Sequence, residues 1–330
     1  MCIRDSYPGL CYLHGVRRRA ASAHVVVTNH SLLFRDLMAG GGILPPIRHW
    51  IVDEAHGAEA EARDQLSAGI DHASARSLLK RLTAAHGGML RSVRASADDA
   101  GDEGLREAIL AACDDIREEA TTALTVATSF FDMVKDLGEG AASDYERTEL
   151  RITPELRETQ AWAVAAGTGR SLVRKLGQVL ESGKRLFTAL EEAGVEATDD
   201  RADLAGVLSR LAEHGEGLGL TLDGGDDSYV YSATIDRRRD VVGERLLAQT
   251  IDVGAVLAER FYPEVRSVVY TSATIAAGDD FSHFAHGVGL DESDPEGWDA
   301  VRLASSYDFE RQMAAYVPAD LPEPRDAAYL

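Results

Sequence analysis

Two short strand-like stretches that look like neighbours in one sheet stand far apart in this chain. The first is Trp50-Ile51-Val52-Asp53-Glu54-Ala55-His56, and the second ends in Thr271-Ser272-Ala273-Thr274, with His56 and Ser272 216 positions apart. An apolar strand that delivers an acidic pair to its C-terminal edge is how nucleoside-triphosphate motors hold a magnesium ion and polarise a water. A βαβ step needs only about 30 residues. If the two strands are neighbours, something large has been inserted between adjacent parts of one domain.

At 330 residues the chain can hold two or three domains with proper cores. A hydrophobic fraction of 45% beside 27% charged residues is ordinary for a globular protein. The net charge of −21 argues against a simple nucleic-acid-binding module, which is normally basic. The acidity is uneven, however. The first 56 residues carry six arginines (Arg4, Arg17, Arg18, Arg19, Arg35, Arg48) against four acids. A motor can bind nucleic acid through local grooves while its remaining surface is acidic.

Cys2, Cys11 and Cys113 give an odd count with no CxxC pair, which argues against a disulfide framework. No run of about 18 apolar residues suggests a membrane span, and the N-terminus lacks the apolar core of a signal peptide. A cytoplasmic setting is expected. Met1-Cys2-Ile3-Arg4-Asp5-Ser6 resembles translated adaptor sequence, so residues 1–6 are read as non-native.

Residues 16–24 read as a short basic helix. The run Val25-Val26-Val27, ending in Thr28-Asn29-His30, predicts a strand buried on both faces. Gly40-Gly41-Gly42 and Pro45-Pro46 punctuate the chain before the Asp-Glu strand. From about 57 to 228 the pattern becomes helical. Leu172, Leu176, Val179, Leu186 and Leu190 recur at helix spacing, as do Leu204, Val207, Leu208 and Leu211. Leu105, Ile109, Ile116, Leu124 and Phe131 mark an earlier helical stretch, and Asp98-Asp99 and Asp199-Asp200 read as breaks. Tyr229-Val230-Tyr231 starts a possible strand before the basic turn Arg237-Arg238-Arg239. A helix over Val253–Arg260 and a strand over Ser267–Tyr270 follow.

Asp53 and Glu54 are the sharpest candidates. Magnesium prefers oxygen ligands and keeps several waters, so one carboxylate suffices to anchor it. Asp53 would do so through a water, and Glu54 would orient and deprotonate the attacking water. His56 could reach across to Ser272 or Thr274. The plainer alternative is an acidic pair capping the next helix; the preceding strand and the distant Ser-Ala-Thr strand favour the motor. Ser272 and Thr274 alone would read as a Ser/Thr turn. A second Ser232-Ala233-Thr234 is read as coincidence, because Ser267–Tyr270 makes the better buried strand. Asn29 and His30 could line a nucleic-acid path, or simply cap. Arg17-Arg18-Arg19 could meet phosphates, or form a solvated helix face. Cys11 is a possible cluster ligand, although a lone cysteine is commonly just a small buried side chain.

One loop is missing from the sequence. No G-x-x-x-x-G-K-[ST] occurs; Gly167-Thr168-Gly169-Arg170-Ser171 lacks both the lysine and the first glycine. Without that cradle the 330 residues alone are expected not to hydrolyse ATP.

These residues resemble the DinG/XPD-type iron–sulfur DNA helicases of superfamily 2. Three stretches carry the likeness: Cys11-Tyr12 with Ala20–Leu33 (AASAHVVVTNHSLL), His49–His56 (HWIVDEAH), and Ile251–Leu290 through Thr271-Ser272-Ala273-Thr274. The tail, Ser305-Ser306-Tyr307-Asp308-Phe309 and Leu321-Pro322-Glu323-Pro324, is similar to the start of the second motor domain. The resemblance implies an α/β fold: a partial RecA-like parallel-sheet motor domain with a large all-helical Arch-like insertion. It implies Mg-ATP, single-stranded or forked DNA, 5′→3′ translocation in repair or replication, and a 4Fe-4S cluster in the whole protein. A monomer is expected. Only Cys11 matches a cluster ligand, and one thiolate cannot hold a cluster that needs about four.

The expected organisation is a remnant of the iron–sulfur domain over 1–19, part of the first motor domain over 20–56, and the insertion over 57–240. The first motor domain then resumes over 241–290, and the second begins over 291–330. The chain thus reads as an internal fragment of such a helicase. The alternatives are a DinG-related exonuclease with a helicase-like core, and a non-catalytic DNA-binding protein that lost the ATP site.

Overall fold

The computed structural model describes residues 12–84, 89–138, 147–195, 199–236, 243–294, 297–318 and 321. Cys2, Cys11, the basic turn 237–239 and residues 322–324 lie outside them.

The chain opens with α1 (Tyr12–Ser22), on which Arg17, Arg18 and Arg19 are exposed. After an extended segment, α2 (His30–Met38) begins where the Asn29 side chain accepts the Leu32 N–H at 2.9 Å. That N-cap satisfies one of the donors a helix start leaves unpaired. Gly40, Gly41 and Gly42 all take positive φ and carry the chain out of α2. The Asp36 carboxylate then accepts the N–H groups of Ile43 and Leu44. Strand β1 (His49–Val52) and helix α3 (Ala58–Leu66) follow.

Next come β2 (Ala68–Asp71), α4 (His72–Thr83), α5 (Met89–Ala95) and α6 (Glu103–Gly138). With 36 residues, α6 is about 54 Å long at the α-helical rise. Strand β3 (Arg147–Arg151) and the single turn α7 (Pro154–Arg157) lead to α8 (Gln160–Glu192) and α9 (Asp199–Asp223). Then β4 (Tyr229–Asp236) and β5 (Arg245–Thr250) run into α10 (Val253–Arg260) and β6 (Ser267–Tyr270). Short helices α11 (Ser282–Gly287), α12 (Leu290–Ser293) and α13 (Phe309–Gln312) finish the described chain.

These elements bury two separate apolar clusters. The larger holds Phe130, Phe131, Leu172, Leu176, Leu186 and Leu204, contributed by α6, α8 and α9, and reaches Leu246 and Ala248 of β5. The smaller holds Leu33, Phe34, Val52, Ala55, Ala58, Ala62, Val253, Leu257, Phe261 and Val288. The chain therefore leaves the smaller body after α3 and returns to it at Val253.

The larger body is not all-helical as expected. It contains a four-stranded antiparallel sheet in the order β2-β5-β4-β3. The reason is visible along β5, where Leu246, Ala248 and Thr250 turn inward in strict alternation, the period of a half-buried strand. Helix α9 crosses this sheet at close range: a Cβ on Gly217 would collide with the backbone of Gly69 in β2.

In the smaller body β1 and β6 pair in parallel, with Trp50 opposite Val268 and Val52 opposite Tyr270. Trp50, Val52, Val268 and Tyr270 turn toward the helices, while Ile51 and Val269 on the other face are 76% and 52% exposed. The expected buried strand at Val25–Val27 is not formed; Val25 and Val27 are 79% and 92% exposed. A β-branched run becomes a buried strand only where a sheet edge and a covering layer both receive it. Among the described residues this parallel sheet has two strands and one open face, and the run joins no strand and stays largely solvated.

Candidate functional site

Because β1 and β6 run in parallel, their C-terminal ends finish side by side. Two backbone hydrogen bonds continue the pairing past the strands. Thr271 N–H donates to Val52 O, and Ala55 N–H donates to Thr271 O, both at 2.9 Å. That register fixes which side chains meet. Thr271 Oγ1 donates to Asp53 Oδ1 at 2.6 Å. One step further, His56 Nδ1 lies 3.1 Å from Ser272 Oγ and 3.4 Å from Glu54 Oε2.

The turn at the tip of β1 is unusual. Glu54 sits at φ 50°, ψ 42°, the sole non-glycine residue with positive φ among the described residues. Such a conformation costs on the order of 1–3 kcal/mol and persists only when its surroundings hold it. Here Ala55 is fully buried just beyond it, and the Asp53 carbonyl just before it accepts a hydrogen bond from His30 Nε2 at 2.9 Å. The Glu54 side chain is left outside, 74% exposed.

The Thr271 hydroxyl, the Glu54 backbone N–H and the nearby His30 all hold the Asp53 carboxyl below its ordinary range, in that order of importance. Asp53 is therefore ionised at neutral pH. An exposed, ionised carboxylate at a strand tip suits a hard cation that keeps most of its waters and takes further oxygens from a substrate. Among the described residues no three His, Cys, Asp or Glu could enclose a metal. The donor set thus fits a single-carboxylate magnesium anchor and not an all-protein cage.

Of the residues singled out from sequence, Asp53, Glu54, His56 and Ser272 come together. Thr274 is adjacent and exposed, and its N–H donates to Ser272 Oγ at 3.4 Å. Ser232-Ala233-Thr234 lies in β4 of the other sheet, with Ser232 and Ala233 buried. Asn29 caps α2. Cys11 is outside the described residues. Cys113 is wholly buried in the larger core, where burial pushes its thiol up to about 11. It is the one cysteine among the described residues, and a single thiolate cannot hold a cluster that needs about four, so the described residues do not supply an iron–sulfur site. Thr271 was not among the candidates, and His30, weighed as a nucleic-acid contact or a cap, instead meets the Asp53 carbonyl. Both stood inside quoted motifs, but nothing in their spacing said that one would meet the carboxylate and the other the peptide behind it.

No family model matches the chain. Two curated relatives align with nearly all of it. It is 23% identical over 315 residues to the 3′-5′ exonuclease DinG of Bacillus subtilis, covering 93% of this chain and 33% of that protein. It is 24% identical over 330 residues to the ATP-dependent DNA helicase DinG of Photobacterium profundum, covering 96% of this chain and 44% of that protein. The resemblance to DinG proteins therefore holds along the chain, the large body between the two strands included. The chain spans less than half the length of these relatives. Among the described residues, no helix is long and apolar enough to cross a membrane.

Proposed function

We propose that this chain is the part of a DinG-type, ATP-dependent DNA helicase that holds the magnesium and the hydrolytic water. In this reading the smaller body belongs to the first RecA-like motor domain. The larger body is the Arch-like insertion, and the residues after about 290 begin the second motor domain. The observation that carries the reading is the parallel pairing of β1 with β6, which sets Asp53 against Thr271 and His56 against Ser272 across more than 200 residues. A structural acidic helix cap would need none of these partners. The open face of the parallel sheet also supports it, since such sheets are normally covered on both sides.

Asp53 would hold the ion, which when bound neutralises charge on the phosphates being separated. Glu54, thrown outward by its left-handed backbone, orients a water and takes its proton. His56 joins the acidic pair to Ser272, so a shift of the second strand tip is felt at the first. Thr274, on the loop following Ser272, extends that link. The phosphate cradle has to come from outside this sequence.

The Bacillus relative's name makes an exonuclease with a helicase-like core the second reading. Movement 5′→3′ on single-stranded DNA, a repair role and a 4Fe-4S cluster whose ligands include Cys11 belong to the proposal for the whole protein. The test is to read the source locus upstream of Tyr7 and assay the encoded protein for DNA unwinding and degradation. A Gly-x-Gly-Lys-Thr-type loop with ATP-dependent 5′→3′ unwinding supports the helicase. Strand degradation that needs no ATP supports the exonuclease instead.

A further inference from the structure

His30 stands at the first position of α2, and its ring reaches the peptide that joins the two acidic residues. Its partner, the Asp53 carbonyl oxygen, can only accept, so Nε2 carries the proton. The bond falls on the peptide immediately before the strained Glu54, where restraint is most needed.

The platform behind His30 is packed, capped and hydrogen-bonded. Leu33 and Phe34, one turn along α2, are in the core, and Asn29 caps the helix start. Gln65 of α3 ties α2 in place, donating to Ser31 Oγ and accepting from Arg35 Nε. A catalytic group is held to its working geometry only when its supports are themselves locked. His30 has that support on one side and the Asp53–Glu54 peptide on the other.

We propose that His30 is a positioning residue for the acidic pair. Its Nε2–H holds the Asp53–Glu54 peptide in the orientation that forces Glu54 into the left-handed region and turns its carboxylate outward. It does not touch the reacting atoms. The role in hydrolysis rests on the functional reading above; the role in holding the turn does not.

The two are tested separately. In the 330-residue chain, backbone NMR couplings and shifts of Glu54 report its φ. His30→Gln places an amide N–H close to the histidine Nε2 position and should keep Glu54 left-handed, whereas His30→Ala should release it while α2 stays folded. A left-handed Glu54 in His30→Ala overturns the proposal, as does its loss in both variants. In the complete protein, His30→Ala should lower kcat for ATP roughly ten- to hundredfold with KM nearly unchanged, the scale expected for a misplaced catalytic group. His30→Gln should restore most of it with the wild-type pH profile, and equal rates for all three overturn the catalytic part. If the wild-type complete protein does not hydrolyse ATP, the functional reading fails, and the Glu54 measurement still decides what His30 does.

Discussion

Thr271 Oγ1 donates to Asp53 Oδ1 at 2.6 Å, although the two residues are 218 positions apart in the chain. This bond is the largest influence holding the Asp53 carboxyl below its ordinary range. A group whose folded-state pKa is depressed contributes stability above its unfolded value, about 3.9 for Asp, and loses it as pH falls through the folded value. Thr271→Val, which keeps the shape and removes the hydroxyl, should raise the Asp53 pKa and narrow that acid window. Side-chain carboxyl NMR titration measures it; an unchanged Asp53 pKa would show that the hydroxyl does not bind the carboxylate.

A second ionic cluster lies in the larger body. The Glu244 carboxylate is fully buried, 2.6 Å from His72 Nδ1 and 2.7 Å from Lys135 Nζ, with the His72 ring stacked on Phe131. Burial pushes the Glu244 carboxyl up, but Lys135 and His72 outweigh it and hold it below the ordinary range. Glu244→Gln should cost about 1–3 kcal/mol, because it leaves the buried His72 without its carboxylate partner while Lys135, 35% exposed, is partly compensated by water. By the same sign argument, the wild-type advantage should shrink as pH falls through the Glu244 range. Urea unfolding of both proteins at pH 7 and pH 4 checks both statements.

Two glycines of α9 should respond in opposite ways. Gly217 faces the backbone of β2 with no room for a Cβ, so Gly217→Ala should destabilise by about 1–3 kcal/mol. Gly206 on the same helix is exposed with open space around it, and Gly206→Ala should stabilise by roughly 0.5–1 kcal/mol. Thermal melts of the two variants against wild type decide it. Equal shifts would mean that α9 does not approach β2 as described.

Residues 7–330 on their own should turn over no ATP, since no phosphate-cradling loop occurs in the sequence. Phosphate release above background by the purified chain, abolished by Glu54→Gln, would contradict this.

Much of this arrangement was legible because it depends on local pattern. The apolar stretch before Asp53 and the helix-spaced leucines of α8 and α9 announced their elements, and the gap between the two motifs announced the insertion. What was not legible depends on partners distant in sequence. Val25–Val27 has the composition of a buried strand, but burial is a property of the neighbours a strand finds. Strands β2, β3 and β5 are four to six residues long, too short for alternation to stand out among long helices. His30 and Thr271 were quoted within motifs, yet their bonds to Asp53 arise only from the register of β1 with β6 and the docking of α2. The left-handed backbone at Glu54 breaks a local rule, and such breaks are expected where a site demands an otherwise costly geometry.

Everything proposed for this site turns on Asp53 and Glu54 acting as the hydrolytic pair of an ATP-driven motor. The decisive comparison is between the complete protein and its Glu54→Gln variant, for ATP binding and for single-stranded-DNA-stimulated ATP hydrolysis. The variant should bind Mg-ATP as wild type does while its turnover falls by at least about a hundredfold, the range expected for loss of a general base. Wild-type turnover in Glu54→Gln would contradict it.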